Sequence, residues 1–199
     1  MKTFDPNQLH PRAFYSLFTG ILAPRPIAWI VSKNSNETLN LAPYSFFSGI
    51  NTRPPMIMVS IGTIQGEKKH TSENILRTSE CVIHIADVSM LDALNASAHR
   101  YEKGVSEVDI LKLETEASTH IHTPRLKGVL AAFECRLHSH HTLPNNDVVY
   151  FDVVSMHINN AAVKDGQIDV EKVKPLSRFM GNYYGIDYTF TKTNHPDHE

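Results

Sequence analysis

Cysteine and net positive charge are both scarce in this sequence, and each scarcity excludes a class of protein. The two cysteines, Cys81 and Cys135, are far apart, form no CxxC pair and lie in apolar stretches. We therefore expect buried free thiols rather than a disulfide scaffold or a redox pair. The formal net charge is -2, from 19 Lys and Arg against 21 Asp and Glu. Nucleic-acid-binding domains are normally strongly basic, so this class is excluded.

Long apolar runs and several common catalytic motifs are also missing. Residues 1–20 carry charged side chains and no apolar core, which argues against a secretory signal, and no run has the length of a membrane-spanning helix. The sequence has no Gly-rich phosphate loop, no GxSxG and no HExxH motif. With 41% hydrophobic and 20% charged residues, we expect a soluble cytoplasmic protein that forms one domain over residues 1–199.

Five segments have the character of β-strands. Most are rich in β-branched and aromatic residues, whereas the segment from Val129 alternates, with Glu134 expected on its polar face. The segments are 27–32, 56–61, 81–86, 129–138 and 148–158. Turn-forming residues at 144–147 predict that the last two segments form a hairpin.

Helical signals are shorter and fewer. The predicted helices lie at about 71–76, 89–100, 107–113 and 170–179. Thr71 or Ser72 is expected to cap the first helix, and Pro175 interrupts the last. The balance favours a mainly β fold, a closed or partly closed barrel with a few short helices, over a βαβ fold.

Arg25 is the first candidate site residue, because it lies between Pro24 and Pro26 at the start of a predicted strand. The prolines stiffen the backbone, so the guanidinium can be held at a fixed place, which suits bidentate recognition of an anion. From the residue types alone, a surface arginine at a strand entry is an equally good interpretation.

The second candidate is segment 41–48, Leu-Ala-Pro-Tyr-Ser-Phe-Phe-Ser, which combines aromatic rings with small hydroxyl residues. A strand of this composition can lay its backbone N–H and C=O groups beside a planar heterocycle, while Ser45 or Ser48 bonds the edge of that ring. The alternative is a core strand in which Phe46 and Phe47 pack inward.

Lys69 is the third candidate, since it precedes the predicted helix near Thr71. An ammonium group, unpaired backbone N–H groups and the positive end of the helix dipole together suit a phosphate. An ordinary helix cap beside a solvated lysine has the same pattern in sequence.

The fourth candidate is segment 175–185, in which glycines frame Tyr183 and Tyr184 and Arg178 lies upstream. Either tyrosine could cover an aromatic ligand or bond its polar edge. The alternative is a C-terminal segment that simply packs on the barrel.

Histidine is abundant, with 12 residues, yet the sequence predicts no metal site. His138 and His140 share one face of a predicted strand, but no nearby cysteine or carboxylate completes a ligand set. His70 is of more interest because it adjoins the candidate phosphate site.

Taken in order, four motifs resemble the flavin reductase-like FMN-binding proteins, the group that includes flavoredoxin. They are PRPIAWIVS at 24–32, NLAPYSFFSGINTRPPMIMVSIG at 40–62, KKHTSENI at 68–75 and PLSRFMGNYYG at 175–185. The resemblance runs from about Gly20 to Gly185. It implies a split β-barrel with Greek-key connections, and a homodimer with FMN bound near the subunit interface.

The resemblance also implies roles at the phosphate of FMN. Arg25 and Lys69 would contact the phosphate, and Thr71 with the helix start would add hydroxyl and amide donors. His70 stands where relatives often have an aspartate, a departure that removes a negative charge beside the phosphate.

Further residues are implied to lie against the flavin ring and the ribityl chain. They are Ala28, Trp29, Pro43, Tyr44, Ser45, Phe46 and Phe47. Arg178, Tyr183 and Tyr184 would lie close to the flavin, from the same subunit or from the partner.

The implied activity is hydride transfer from NADH or NADPH to the flavin, in which the protein supplies orientation and electrostatics rather than a catalytic side chain. Reduced flavin would then serve a bound acceptor or leave for a partner oxygenase. The alternatives are an FMN-binding electron carrier without its own NAD(P)H turnover and an interaction module that keeps the fold without flavin. No nucleic-acid or membrane partner is expected.

Overall fold

Strands dominate the structure, a computed structural model that describes residues 1–191. Within these residues the strands β1 to β14 span Arg25–Pro26, Ala28–Lys33, Leu39–Tyr44, Phe47–Thr52, Pro55–Gly62, Glu80–Ile85, Thr115–Glu116, Arg125–Leu126, Ala131–Leu143, Asn146–Ile158, Val163–Lys164, Gln167–Ile168, Ser177–Arg178 and Tyr184–Gly185. The α-helices α1 to α4 span Pro11–Ile21, His70–Thr78, Leu91–Ala96 and Glu107–Ile110. Short 3-10 helices lie at Pro6–Gln8, Val88–Met90 and Asn160–Ala162. The mainly β fold is confirmed.

Seven strands form one antiparallel sheet in the order β3-β2-β6-β9-β10-β5-β4. The two outermost strands of this order, β3 and β4, are consecutive in sequence and are joined by Ser45 and Phe46 alone. The two edges of the sheet must therefore meet, and the backbone N–H of Ser60 in β5 donates to the carbonyl of Phe46 at 2.8 Å. The sheet curls into a barrel, as the sequence predicts.

Both faces of the barrel wall are buried at its centre, which explains the continuous apolar run in β2. Ile30 and Ile83 point into the barrel interior, where Ile75 of α2 joins them. Trp29 and Val82 point outward into a second cluster, which the helices α3 and α4 and the loop before β9 cover. A strand buried on both faces reads as an apolar run rather than as an alternation.

The two cysteines lie opposite each other on the neighbouring strands β6 and β9. Cys81 and Cys135 are fully buried free thiols, as predicted. Burial raises the pKa of the Cys81 thiol, so this group stays protonated at neutral pH.

The predicted strands are present as β2, β5, β6, β9 and β10, and the last two form the predicted hairpin. The first helix starts at His70 with Lys69 at the N-cap position, so the predicted cap at Thr71 or Ser72 is wrong. The helices predicted at 89–100 and 107–113 are present as the shorter α3 and α4. Segment 41–48 forms the end of β3 and the start of β4 instead of one strand. The polar tail at 192–199, expected to be frayed or ordered by a partner, lies outside the described residues.

The helix predicted at 170–179 is wrong. This segment makes a single turn, in which the backbone N–H groups of Lys172 and Val173 both donate to the carbonyl of Asp169, and then extends into β13. Pro175 has no backbone N–H to continue a helix, which accounts for the difference.

Helix α1 was not predicted from the sequence. It starts at Pro11, a favoured first position, and the side chain of His10 accepts a hydrogen bond from the N–H of Arg12 at 3.3 Å. Phe14 and Phe18 stack on one face of the helix with ring centroids 5.6 Å apart. Among the described residues, no helix is long and apolar enough to cross a membrane.

Glu134 is not on a solvent face, which corrects the predicted alternation in β9. Its carboxylate is fully buried and accepts hydrogen bonds of 2.7 Å from the backbone N–H groups of Thr119 and His120. The imidazole of His157 lies 2.7 Å from the same carboxylate. Although burial acts to raise the pKa of Glu134, these hydrogen bonds lower it on balance.

Candidate functional site

A groove with two parts lies between β3, the start of α2 and the region of α3. The larger part has a volume of about 680 Å³ and the smaller about 280 Å³. Both parts share a common border, formed by Pro43, Tyr44, Ala98 and His99. The larger volume falls within the range of small-molecule and cofactor sites.

The N-terminus of α2 opens into the smaller part of the groove. Lys68, Lys69, His70 and Thr71 all line this part. Lys69 occupies the N-cap position, and no side chain of the described residues caps the helix. The first backbone N–H groups of α2 therefore lack a side-chain acceptor, and the positive end of the helix dipole faces the groove.

The two adjacent lysines at this end differ in their partners. The ammonium of Lys68 forms an ion pair with the buried carboxylate of Asp147. Among the described residues no carboxylate pairs with Lys69, whose Nζ lies 5.2 Å from the centroid of the Tyr44 ring. Burial lowers the pKa of the Lys69 amine. Of the two ammonium groups, Lys69 is the one available to an anion in the groove.

A chain of buried hydrogen bonds lies beneath the groove. The hydroxyl of Tyr44 donates to Thr71 Oγ1 at 2.9 Å, and the hydroxyl of Thr71 donates to Asn40 Oδ1 at 2.6 Å. The amide of Asn40 then donates to Glu107 Oε1 at 3.0 Å. The backbone N–H of Leu41 donates to Glu107 Oε2 at 2.9 Å. This chain of donors ends at the carboxylate of Glu107. It fixes the ring of Tyr44, and the hydroxyl proton of Thr71 is not available to a ligand in the groove.

Burial acts on the titratable ends of this chain. It raises the pKa of the Glu107 carboxyl, although hydrogen bonds from Leu41 and Asn40 oppose the shift. Burial also raises the pKa of the Tyr44 hydroxyl, so this group remains a neutral donor at any ordinary pH.

Arg25 has partners other than the predicted phosphate. Its side chain is buried, and Nη1 donates to the backbone carbonyls of Thr19, at 2.5 Å, and Leu22. Nη2 donates to the carbonyl of Phe179 at 2.9 Å, and Nε donates to Ser45 Oγ at 3.3 Å. Arg25 lines neither part of the groove. The guanidinium instead joins the end of α1, the turn after β3 and the C-terminal segment.

Of the residues predicted along the flavin, three line the larger part of the groove, namely Pro43, Tyr44 and Ser45. Four others do not line either part, namely Ala28, Trp29, Phe46 and Phe47. The indole of Trp29 is fully buried and donates to Ser97 Oγ at 2.8 Å. The ring of Phe46 packs edge-on against Phe18, with centroids 6.4 Å apart. Ala28 and Phe47 instead pack in or against the apolar cluster inside the barrel.

Of the three candidates in segment 175–185, two line the groove and one does not. Arg178 and Tyr184 line the larger part, and Cζ of Arg178 lies 4.4 Å from the centroid of the Tyr184 ring. The hydroxyl of Tyr184 donates to Asn95 Oδ1 at 3.2 Å. Tyr183, by contrast, is 71% exposed and lies outside the lining of the groove.

Several residues that line the larger part were not anticipated from the sequence. They are Tyr15, Asp92, Asn95 and His99, whereas Asn182, which also lines this part, lies within the predicted segment 175–185. Three of them lie on α3 or just after it. The helix was predicted, but no sequence signal indicates which of its faces meets β3.

The histidines considered in the sequence as site residues lie far from one another. His70 lines the smaller part of the groove, whereas Nδ1 of His138 lies 3.2 Å from Oδ2 of Asp152 on the barrel wall. Over residues 1–191, no three potential metal ligands come together.

Known proteins provide a comparison for this groove. Residues 22–187 match the profile of the flavin reductase like domain. The uncharacterized protein YwrF of Bacillus subtilis is 30% identical over 203 residues, which cover 96% of this chain and 99% of that protein. Residues 22–187, the range that matches the family profile, contain every groove residue named above except Tyr15.

Solved structures show the same architecture. Nitrilotriacetate monooxygenase component B from Bacillus cereus is 33% identical, with a TM-score of 0.94 over 97% of this chain and 98% of that one. A protein from Shewanella frigidimarina described as a flavin reductase with a split barrel domain is 20% identical, with a TM-score of 0.83 over 95% of each chain. The second likeness supports the split-barrel fold alone.

Proposed function

The chain belongs to the flavin reductase-like family, and we propose that it is an FMN-dependent oxidoreductase, an NAD(P)H-dependent flavin reductase whose groove holds FMN. The observation that carries this proposal is the uncapped start of α2 beside Lys69, at one end of a groove whose other end is lined by tyrosines. FMN carries a phosphate at one end and a planar ring at the other, which matches the two ends of the groove.

The smaller part of the groove fits the phosphate. The free backbone N–H groups at the start of α2 point to an anion, and the Lys69 ammonium adds a charge-assisted donor. The hydroxyl of Thr71 already donates to Asn40, so its contribution is to fix the helix start rather than to donate to the phosphate. His70 brings no negative charge to this end.

The larger part fits the ring. Pro43 and Tyr44 give it one wall, and Tyr184 with the stacked guanidinium of Arg178 gives it another. Ser45 and Asn95 supply polar atoms for the ring edge. FMN, when bound, supplies the hydride and electron chemistry, and the side chains of this groove orient it and shield it from water.

We also propose that the protein is a homodimer in which a second copy covers α1. Several large apolar side chains on this helix are exposed, with Ile21 at 88% and Phe18 at 45%. Contiguous exposed apolar surface is typical of an interface. Tyr15 lies on the same helix and lines the larger part of the groove, so a covered α1 places the groove beside the interface.

The 33% identity to component B of a monooxygenase supports a role for reduced flavin outside this chain. We infer that reduced flavin leaves the groove and serves a partner oxygenase. An electron carrier fed by another protein is the alternative.

Anaerobic addition of NADH, and separately of NADPH, to the FMN-loaded protein tests the proposal. We expect the visible flavin absorption to bleach with one of the two nucleotides, much faster than for free FMN at the same concentrations. Retained flavin that does not bleach would instead favour the electron carrier. A protein that binds no added FMN would contradict both functions.

A further inference from the structure

Three acidic side chains are buried in the described part of the chain, and one of them has no ion-pair partner there. Asp147 pairs with the ammonium of Lys68, and the carboxylate of Glu134 lies 2.7 Å from the imidazole of His157. Glu107 is 4% exposed, and no cationic side chain of the described residues pairs with it. A buried charge without a partner is costly, which makes this carboxylate a candidate for a functional role.

Glu107 lies at the end of the groove that we assign to the phosphate. It lines the smaller part together with Lys69 and Thr71 at the start of α2. The side chain of Asn40 joins the two elements, because its amide donates to Glu107 Oε1 at 3.0 Å and its Oδ1 accepts from the Thr71 hydroxyl at 2.6 Å. One side-chain amide therefore separates the carboxylate from the first turn of α2.

The hydrogen-bond donors to this carboxylate are neutral groups, the amide of Asn40 and the backbone N–H of Leu41. Neutral donors satisfy the oxygens of Glu107 but do not cancel its charge. A phosphate in the same part of the groove carries charge of the same sign, and a buried region screens the repulsion weakly. The ionised carboxylate therefore opposes the phosphate without having to touch it.

Other titratable groups act in the same part of the groove. Burial raises the pKa of Glu107, while the hydrogen bonds from Leu41 and Asn40 and the charge of a protonated His70 oppose that shift. Tyr44 of β3 faces the carboxylate as a neutral donor. The further titratable side chains that line this part are Glu67, Lys68, Lys69, His99, Arg100 and Tyr101. Since these groups also act on a phosphate, the contribution of Glu107 is measured as a difference between matched proteins.

We propose that Glu107 is a specificity-determining residue of the groove, whose charge opposes the phosphate of FMN so that binding of FMN is coupled to uptake of up to one proton by Glu107. The proton comes from solvent and returns to it when FMN leaves. This role rests on the phosphate site proposed above. Riboflavin has no phosphate, so its binding is not coupled to Glu107. A carboxylate in this position keeps FMN exchangeable, as a flavin that serves a partner oxygenase has to be.

The affinities of the full chain for FMN and for riboflavin, measured in the wild type and in Glu107→Gln between about pH 6 and pH 9, test this role. Glutamine keeps the size of the side chain and removes the charge. The phosphate, Lys69 and His70 titrate with both proteins, so their effects cancel in the ratio of the two FMN affinities. We expect the variant to bind FMN about 3- to 30-fold more tightly at the high end of this range, with a gain that shrinks as the pH falls. Riboflavin affinity should be the same in both proteins.

Carbon-13 NMR of the glutamate carboxyl groups follows the same proton in the wild type, and this measurement does not depend on the stability of the variant. The titration of the Glu107 carboxyl should move to higher pH when FMN binds and stay in place when riboflavin binds. The exposed Glu37 is the control, and its carboxyl should titrate alike in all samples.

The outcomes separate this role from the proposed function. A ratio of the two FMN affinities that stays constant with pH would overturn the role of Glu107. So would a Glu107 titration that FMN leaves in place, or one that riboflavin moves as far as FMN does. In each of these cases a wild type that prefers FMN to riboflavin would still have the phosphate site. A wild type without that preference would overturn the phosphate site and the role of Glu107 together.

Discussion

The hydroxyl of Tyr44 donates to Thr71 Oγ1 at 2.9 Å and so joins the border of the groove to the first turn of α2. Tyr44 borders both parts of the groove, while Thr71 lies where the N–H groups of the helix are free. This one contact therefore fixes the ring wall relative to the proposed phosphate end. Its removal should disturb the positions of both.

Thr71→Val tests this positioning role. The change keeps the side-chain shape but leaves the Tyr44 hydroxyl without its buried acceptor, and Asn40 Oδ1 keeps only the longer 3.3 Å hydrogen bond from Ser32. We expect the free energy of unfolding to fall by about 1–3 kcal/mol, measured by denaturant titration. FMN affinity should fall less than in Lys69→Ala. A larger loss of FMN affinity with unchanged stability would instead make Thr71 a direct phosphate donor.

Arg25→Lys tests the structural role of the buried guanidinium. Lysine keeps the charge but cannot reach the carbonyls of Thr19, Leu22 and Phe179 together, so buried acceptors lose their donors. We expect the free energy of unfolding to fall by about 2–5 kcal/mol. The exposed Arg12→Lys is the matched control and should have no effect. Unchanged stability with lost FMN affinity would instead support the predicted contact of Arg25 with the phosphate.

His84 predicts a specific pH dependence of stability. Its imidazole is fully buried, with Nδ1 against the carbonyl of Trp29 at 2.9 Å and Nε2 accepting from the N–H of Leu126 at 2.9 Å. Burial, together with the charge of Arg125, lowers its pKa from 6.5 to about 4. The unfolded chain takes up a proton near pH 6.5, whereas the folded protein does so only near pH 4.

The contribution of His84 is therefore complete above pH 6.5 and is lost as the pH falls toward 4. The difference between the two pKa values corresponds to about 3 kcal/mol. His84→Gln keeps a donor and an acceptor but does not titrate. Between pH 7 and pH 4, the wild type should lose up to about 3 kcal/mol more than this variant. Parallel pH profiles for the two proteins would contradict the assignment.

Ile21→Glu tests the proposed interface on α1. A carboxylate at this exposed apolar position should be tolerated in a monomer but not under a second copy. Sedimentation should show a dimer for the wild type and a monomer for the variant, with weaker FMN binding because Tyr15 borders the groove. Arg12→Glu places a carboxylate at an exposed polar position of the same helix, with a charge change of −2 instead of −1, and should still leave a dimer. Identical sedimentation of all three proteins would reject this interface.

The features that the sequence predicts well are set by neighbouring residues. The apolar run of β2 and the turn between β9 and β10 carry their own signals, and so does the position of Lys69 at the start of α2. Each depends on local composition, capping or periodicity.

The features that were missed depend on distant parts of the chain. The burial of the Arg25 guanidinium depends in part on the carbonyl of Phe179, far along the sequence. Glu134 is buried because the loop at Thr119 folds over its carboxylate. The part played by Asn95 follows from which face of α3 meets the groove. Such contacts are tertiary, and a pattern along one strand or helix does not contain them.

The relative affinity for FMN and riboflavin, measured in the wild type and in Lys69→Ala, tests the central claim most directly. The two ligands differ by the phosphate alone. We expect the wild type to prefer FMN, and Lys69→Ala to lose about 10- to 100-fold of FMN affinity while its riboflavin affinity stays unchanged. Lys68→Ala should lower the free energy of unfolding, since that ammonium is paired with Asp147. It should reduce FMN affinity less than Lys69→Ala does. Equal affinities of the wild type for the two ligands, or an undiminished preference for FMN in Lys69→Ala, would contradict a phosphate site at the start of α2.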